Sequence, residues 1–154
     1  MDLDFVPINA SEFNAEIYLR VLISIVKADR FNGRPERDYV RNRAHMLGLD
    51  FEELWETTEK GFSIQDAKVA RPIALVILKD CVALASLDSS YTLFERSLVY
   101  GYAEKLDVSR SDVEKLEEWV EEYQTLNKKW DKLVAGKLSL PDVPLHEILV
   151  HAGL

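Results

Sequence analysis

A chain of 154 residues, 47% apolar and 30% charged, is long enough to bury a core without disulfides or a structural metal. Its net charge of −8 argues against non-specific nucleic-acid binding, which needs a cationic surface to displace counterions. A single cysteine excludes an internal disulfide, and no basic-then-apolar leader opens the chain, so one cytoplasmic domain spanning 1–154 is expected.

The first helix is predicted over about 11–28, where Phe13, Ile17, Val21, Ile25 and Ala28 recur at steps of three or four. A second is predicted over 34–47, with Val40, Ala44 and Leu47 on one face and Gly48 as its stop. Asp50-Phe-Glu-Glu53 has the form of a capping box and opens a short helix to about Lys60.

Ser63-Ile-Gln-Asp66 reads as the start of a helix running toward Leu87, kinked or split by Pro72 near Ala70 and Arg71. Its apolar part, Pro72 to Leu87, is too short and too polar at Lys79 and Asp80 to span a bilayer. It is expected to be a central helix buried on most faces, with Cys81 as a small core residue. Lys79 and Asp80 are expected on one narrow exposed strip, because a buried charge must be paired or functional.

Residues 92–106 carry Phe94, Leu98, Val99, Tyr102, Ala103 and Leu106 at helical spacing. Ser109-Arg-Ser-Asp112 caps the longest helix, about 110–134, with Gly136 as its stop. Its inner face is predicted to be Val113, Leu116, Val120, Tyr123, Leu126, Trp130 and Leu133. A C-terminal extension, 138–154, ends in a short amphipathic helix with Leu145, Ile148, Leu149 and Val150. It is expected to fold back over the bundle, since an exposed apolar stripe is a liability. The fold class is all-α: a helical bundle of about seven helices.

Charge is segregated along the chain. From Arg30 to His45 there are five Arg against Glu36 and Asp38, and from Glu104 to Glu122 eight acids against three bases. Like-charge neighbours such as Glu114/Glu118 and Glu118/Glu122 repel at this spacing. A solvated face accounts for them. The Arg-rich helix, a second subunit or a cation are the alternatives, and a homodimer pairing the Arg-rich helix with the Glu-rich one is one such arrangement.

The most informative pattern is a loop-and-helix unit that recurs 59 residues later. Asp29, Glu36, Arg37, Val40, Ala44 and Leu47 align without a gap on Asp88, Glu95, Arg96, Val99, Ala103 and Leu106. The halves cover about 15–60 and 74–134. Self-similarity of this kind fixes an architecture. Capping explains the four acids: Thr92-Leu-Phe-Glu95 is a capping box, Gly33 and Pro35 suit the start of the preceding copy, and short acids near helix ends accept loop amides. The alternative is that Asp29, Glu36, Asp88 and Glu95 hold a hard divalent cation such as calcium, which wants six to eight oxygens.

Catalytic signatures are absent from the sequence. His146-Glu147-Ile-Leu-Val-His151 has one residue too many for a helical zinc motif, leaving its histidines about 140° apart around a helix. No nucleophile–histidine–acid pattern, glycine-rich phosphate loop or paired-cysteine motif occurs.

On the repeated small-Asp…Glu loops, Ala28-Asp29…Glu36 with Leu47-Gly48-Leu49 and Leu87-Asp88…Glu95 with Leu106-Asp107-Val108, the chain resembles the tellurite-resistance protein B (TerB-like) family over about 15–134. Arg30 and Ser89 stand where that family has Gly after the Asp. The resemblance implies an all-helical, internally duplicated domain without catalytic activity. It also implies a divalent cation at the loops and a role in resistance to tellurite and other stresses, through protein partners that include membrane-associated ones. The competing expectation is a small-molecule enzyme in which Lys79, Asp80 and the loop acids share a cleft.

Overall fold

The computed structural model describes residues 14–28, 33–64, 69–87 and 91–138. They form six α-helices and no strand: α1 (Ala15–Ala28), α2 (Arg34–Met46), α3 (Phe51–Thr57), α4 (Arg71–Ala85), α5 (Leu93–Lys105) and α6 (Arg110–Leu138). A helical bundle is therefore the architecture. The expected C-terminal helix in 138–154 lies outside the described residues. The chain divides into two compact units, Met1–Val120 and Glu121–Leu154.

In the first unit, α1 and α4 are the two apolar rods at the centre. Nearly every α4 residue from Ile73 to Ala85 is buried, and α1 is buried from Val21 to Val26. They pack on each other. Each also packs on the helix that follows it, α1 on α2 and α4 on α5, and each reaches across, α1 to α5 and α4 to α2. Val40 and Ala44 from α2, Val99 and Ala103 from α5, and Val113 and Val120 from α6 complete the core.

The ends of α2 and α5 are built alike. Leu49 N donates to Ala44 O at 2.9 Å and Gly48 N to His45 O at 3.1 Å. Val108 N donates to Ala103 O at 2.9 Å and Asp107 N to Glu104 O at 3.2 Å. This is the Schellman closure, in which one left-handed residue lets two amides satisfy the last helical carbonyls. Gly48 supplies it at φ 71° and Asp107 at φ 57°. The next residue but one then caps the following helix: Asp50 Oδ1 accepts from Glu53 N, and Ser109 Oγ accepts from Asp112 N.

Several expectations need correction. Ser63 and Ile64 are not helical, nor are Val69 and Ala70; α4 opens at Arg71 with Pro72 in its first turn. Proline lacks only an amide that is unpaired there anyway, so it starts this helix and does not kink it. Gly136 lies inside α6. A glycine ends a helix only where it takes positive φ, and among the described glycines only Gly48 does. Phe94 is exposed, so it is not part of the α5 core stripe.

The second unit comprises, among described residues, the distal part of α6. Its side chains Leu126, Trp130 and Leu133 are 63%, 57% and 52% exposed. They were expected on an inner face with Val113 and Val120; only those two of the five are buried.

Candidate functional site

Glu36 and Glu95 occupy the same place in their helices, the third residue after the N-cap, and both are buried, at 7% and 3% exposure. Carboxylates are rarely buried without partners. Their surroundings differ. Thr92 caps α5 as a full capping box: Glu95 N donates to Thr92 Oγ1 at 3.1 Å, and Glu95 Oε1 accepts from Thr92 N and Oγ1 at 3.2 and 2.8 Å. The N-cap of α2 is Gly33, which has no side chain to offer and so makes no such box. Glu36 Oε2 is buried with no hydrogen-bond partner among the described residues.

Asp29 and Asp88 lie outside the described residues. Among the described residues no three His, Cys, Asp or Glu side chains gather as a metal-binding group. The described chemistry is thus one orphaned carboxylate oxygen at the first loop and one committed carboxylate at the second. An orphaned buried oxygen fits a hard cation as donor, but one oxygen is far short of a calcium shell. Lys27 closes α1 beside the first loop. It donates to the carbonyls of Trp55 and Thr58 and lies 4.8 Å from the Trp55 ring centre, with Arg37 4.3 Å away on the same ring. Burial, then Arg37, lowers the Lys27 pKa.

Lys79 and Asp80 are not on an exposed strip. They are 6% and 0% exposed, inside the bundle. What permits this is a partner from another helix: Tyr18 Oη of α1 donates to Asp80 Oδ2 at 2.6 Å. Lys79 Nζ stands 3.4 Å from Asp80 Oδ1, near enough for charge attraction, yet that oxygen accepts no hydrogen bond among the described residues. Arg43 of α2, also buried, donates to Tyr39 Oη at 3.2 Å. Burial and the Asp80 charge drive the Tyr18 phenol far above its ordinary pKa, and push Tyr39 up to about 12. Burial, and then Asp80, likewise raises the Cys81 thiol, which is a buried core residue. The cluster is a packed network of phenols and charges; its groups are held by one another.

A second polar cluster, unforeseen in the sequence, joins α5 to α6. Arg96 Nε and Nη2 donate to Glu117 Oε2 and Oε1 at 2.9 and 3.1 Å, and Tyr100 Oη donates to Glu117 Oε1 at 2.7 Å. Arg96 and Arg110 lie 5.1 and 4.9 Å from the Tyr100 ring centre. Burial raises the Glu117 carboxyl, but the bonds from Arg96 and Tyr100 outweigh it and leave it below the usual range. Leu93, Ser97 and Glu114 complete the walls of a shallow groove of about 340 Å³ here. Glu117 therefore finds its cation on α5, and the Arg-rich α2 spends Arg41 on Asp38 and Glu52. Spacing could have suggested none of this, because Arg96 and Glu117 are 21 positions apart.

No protein-family model matches the chain, and neither a curated protein nor a solved structure does. No described helix is long and apolar enough to cross a membrane.

Proposed function

We propose that the chain is an internally duplicated, TerB-like helical module, acting without catalysis in a stress response by binding a protein partner. The observation that carries this reading is the repeat of one backbone design at an offset of 59: helix, third-position buried Glu, Schellman closure and capped next helix. The reciprocal packing of α1 on α5 and α4 on α2 agrees with two halves related by a pseudo-twofold. Repeats of this sort supply scaffolds, and nothing in the described network presents an activated nucleophile or an accessible acid–base pair.

The cation assigned to such loops belongs, in this proposal, to the first one. Glu36 Oε2 is available and the Glu95 Oε1 is spent on Thr92. Asp29 would be its companion. Calorimetric titration with calcium, magnesium, manganese and zinc is the test, on the full chain and on Glu36→Gln and Asp29→Ala. Saturable binding lost in both variants, and kept in Asp88→Ala, is the expected result; no heat with any of the four ions removes the cation from the proposal. The runner-up, a small-molecule enzyme around Lys79 and Asp80, has less support because both groups are packed inside the bundle.

A further inference from the structure

We propose that α6 is a self-association surface: two copies of the chain pair along this helix, antiparallel. Trp119, Tyr123, Leu126, Trp130 and Leu133 follow one another at alternating steps of four and three, the a/d spacing of a coiled-coil seam. Leu126, Trp130 and Leu133 are more than half exposed, and Trp119 is 41% exposed. Trp119 and Tyr123 also hold contacts within their own chain. Three large apolar groups on successive turns of one helix make a patch of the kind that marks an interaction site.

Charge selects both the occupant and the register. The g positions flanking this seam are Lys115, Glu122 and Lys129. In a parallel pair they would face Val120, Asn127 and Val134, which form no ion pairs. Shifting an antiparallel pair by a heptad either way opposes Lys129 to Lys129 or Glu122 to Glu122. One antiparallel register opposes Glu122 to Lys129 of the second copy, and by symmetry does so twice. The same register sets Tyr123 against Leu126 and Trp119 against Trp130, each layer occurring on both sides of the axis; Leu116, which packs on the core of its own chain, stands outside the seam. A twofold contact must be self-complementary in this way. The paired layers, from Trp119 to Trp130, span roughly 17 Å, at about 1.5 Å per residue. It is distinct from a pairing of the Arg-rich α2 with α6, and it does not depend on the repeat or on any cation.

Sedimentation equilibrium of the full chain tests the proposal. The expected species has twice the 17.7 kDa chain mass at micromolar concentration. Leu126→Glu combined with Trp130→Glu should give a monomer with unchanged helical circular dichroism, since both residues are exposed. Glu122→Lys and Lys129→Glu should each weaken association by roughly tenfold, and the double swap should restore it. A wild-type monomer at every concentration overturns the proposal, whether the stripe is then covered by residues 139–154 or by another protein. So does a dimer indifferent to the Leu126 and Trp130 changes, or one that the double charge swap fails to restore.

Discussion

Tyr18 on α1 donates a 2.6 Å hydrogen bond to Asp80 on α4, joining the two central helices through the most buried charge in the described structure. The bond has no counterpart at the sequence offset of 59. The position 59 residues after Tyr18 is Ile77, and the one 59 before Asp80 is Val21.

Removing the phenol oxygen takes from buried Asp80 its hydrogen-bond donor and leaves it the charges of Lys79 and Arg43. Tyr18→Phe should therefore cost about 1–3 kcal/mol, the penalty for stranding a buried polar group. Urea unfolding measures it. Replacing both residues by the apolar pair found at that sequence offset, Tyr18→Ile with Asp80→Val, should cost less than the sum of the single changes, because the buried carboxylate goes with its donor. Strict additivity of the two would show that the bond contributes nothing.

Alkaline pH should unfold the protein through the same cluster. Both Tyr18 and Tyr39 start from an ordinary value of 10.0 and are raised by folding. A raised pKa means the native state holds its proton more tightly, so the stabilisation is complete below pH 10 and is lost as pH rises beyond it. Tyr39 contributes to the loss between 10 and about 12. Tyr18 goes on doing so past that, at a slope of about 1.4 kcal/mol per pH unit. Stability measured from pH 8 upward should be level at first and then fall, and Tyr18→Phe should make the fall shallower. An unchanged slope in that variant would place the alkaline sensitivity elsewhere.

The helix closures give a paired prediction. Gly48 and Asp107 carry equivalent left-handed residues, but only glycine takes that conformation without strain, which costs other residues roughly 1–2 kcal/mol. Gly48→Ala should lower stability by about 1 kcal/mol, since open space around it removes any steric contribution. Asp107→Gly should raise stability by a few tenths of a kcal/mol up to about 1, the released strain being offset by unfolded-chain entropy. Thermal unfolding of the two variants should shift in opposite directions, and shifts of the same sign would contradict this account of the closures.

The same closures show what could be read in the sequence. Gly48 announces its helix end because glycine is the usual left-handed residue, whereas Asp107 is legible only by alignment with Gly48. Gly136 shows the converse: composition alone suggests a stop, but the backbone never takes positive φ there. The capping box at Thr92 and Glu95 was legible because its residues are local. Asp80 was misplaced because its partner lies 62 positions away and a sequence cannot show which helices touch. The period of Leu126, Trp130 and Leu133 was read correctly, but its direction was not. A buried helix face and an exposed one have the same spacing.

The two buried glutamates should part company under mutation. Glu95→Ala removes the acceptor for Thr92 N and Oγ1 and leaves the start of α5 half-capped, so a loss of about 1–2 kcal/mol is expected. Thr92→Ala should cost about 1 kcal/mol through the same box. Glu36→Gln is different. It replaces a buried carboxyl oxygen that has no hydrogen-bond partner among the described residues by an amide of the same shape. In the absence of divalent ions it should be neutral or stabilising by up to about 1 kcal/mol. Adding the cation that binds should stabilise the wild type and leave Glu36→Gln where it was, because a ligand raises stability only when it binds the folded state. Urea titrations with chelator and with excess cation give all four values. A Glu36→Gln variant as damaged as Glu95→Ala would mean that the first glutamate is a structural cap like the second, and the difference between the loops would vanish.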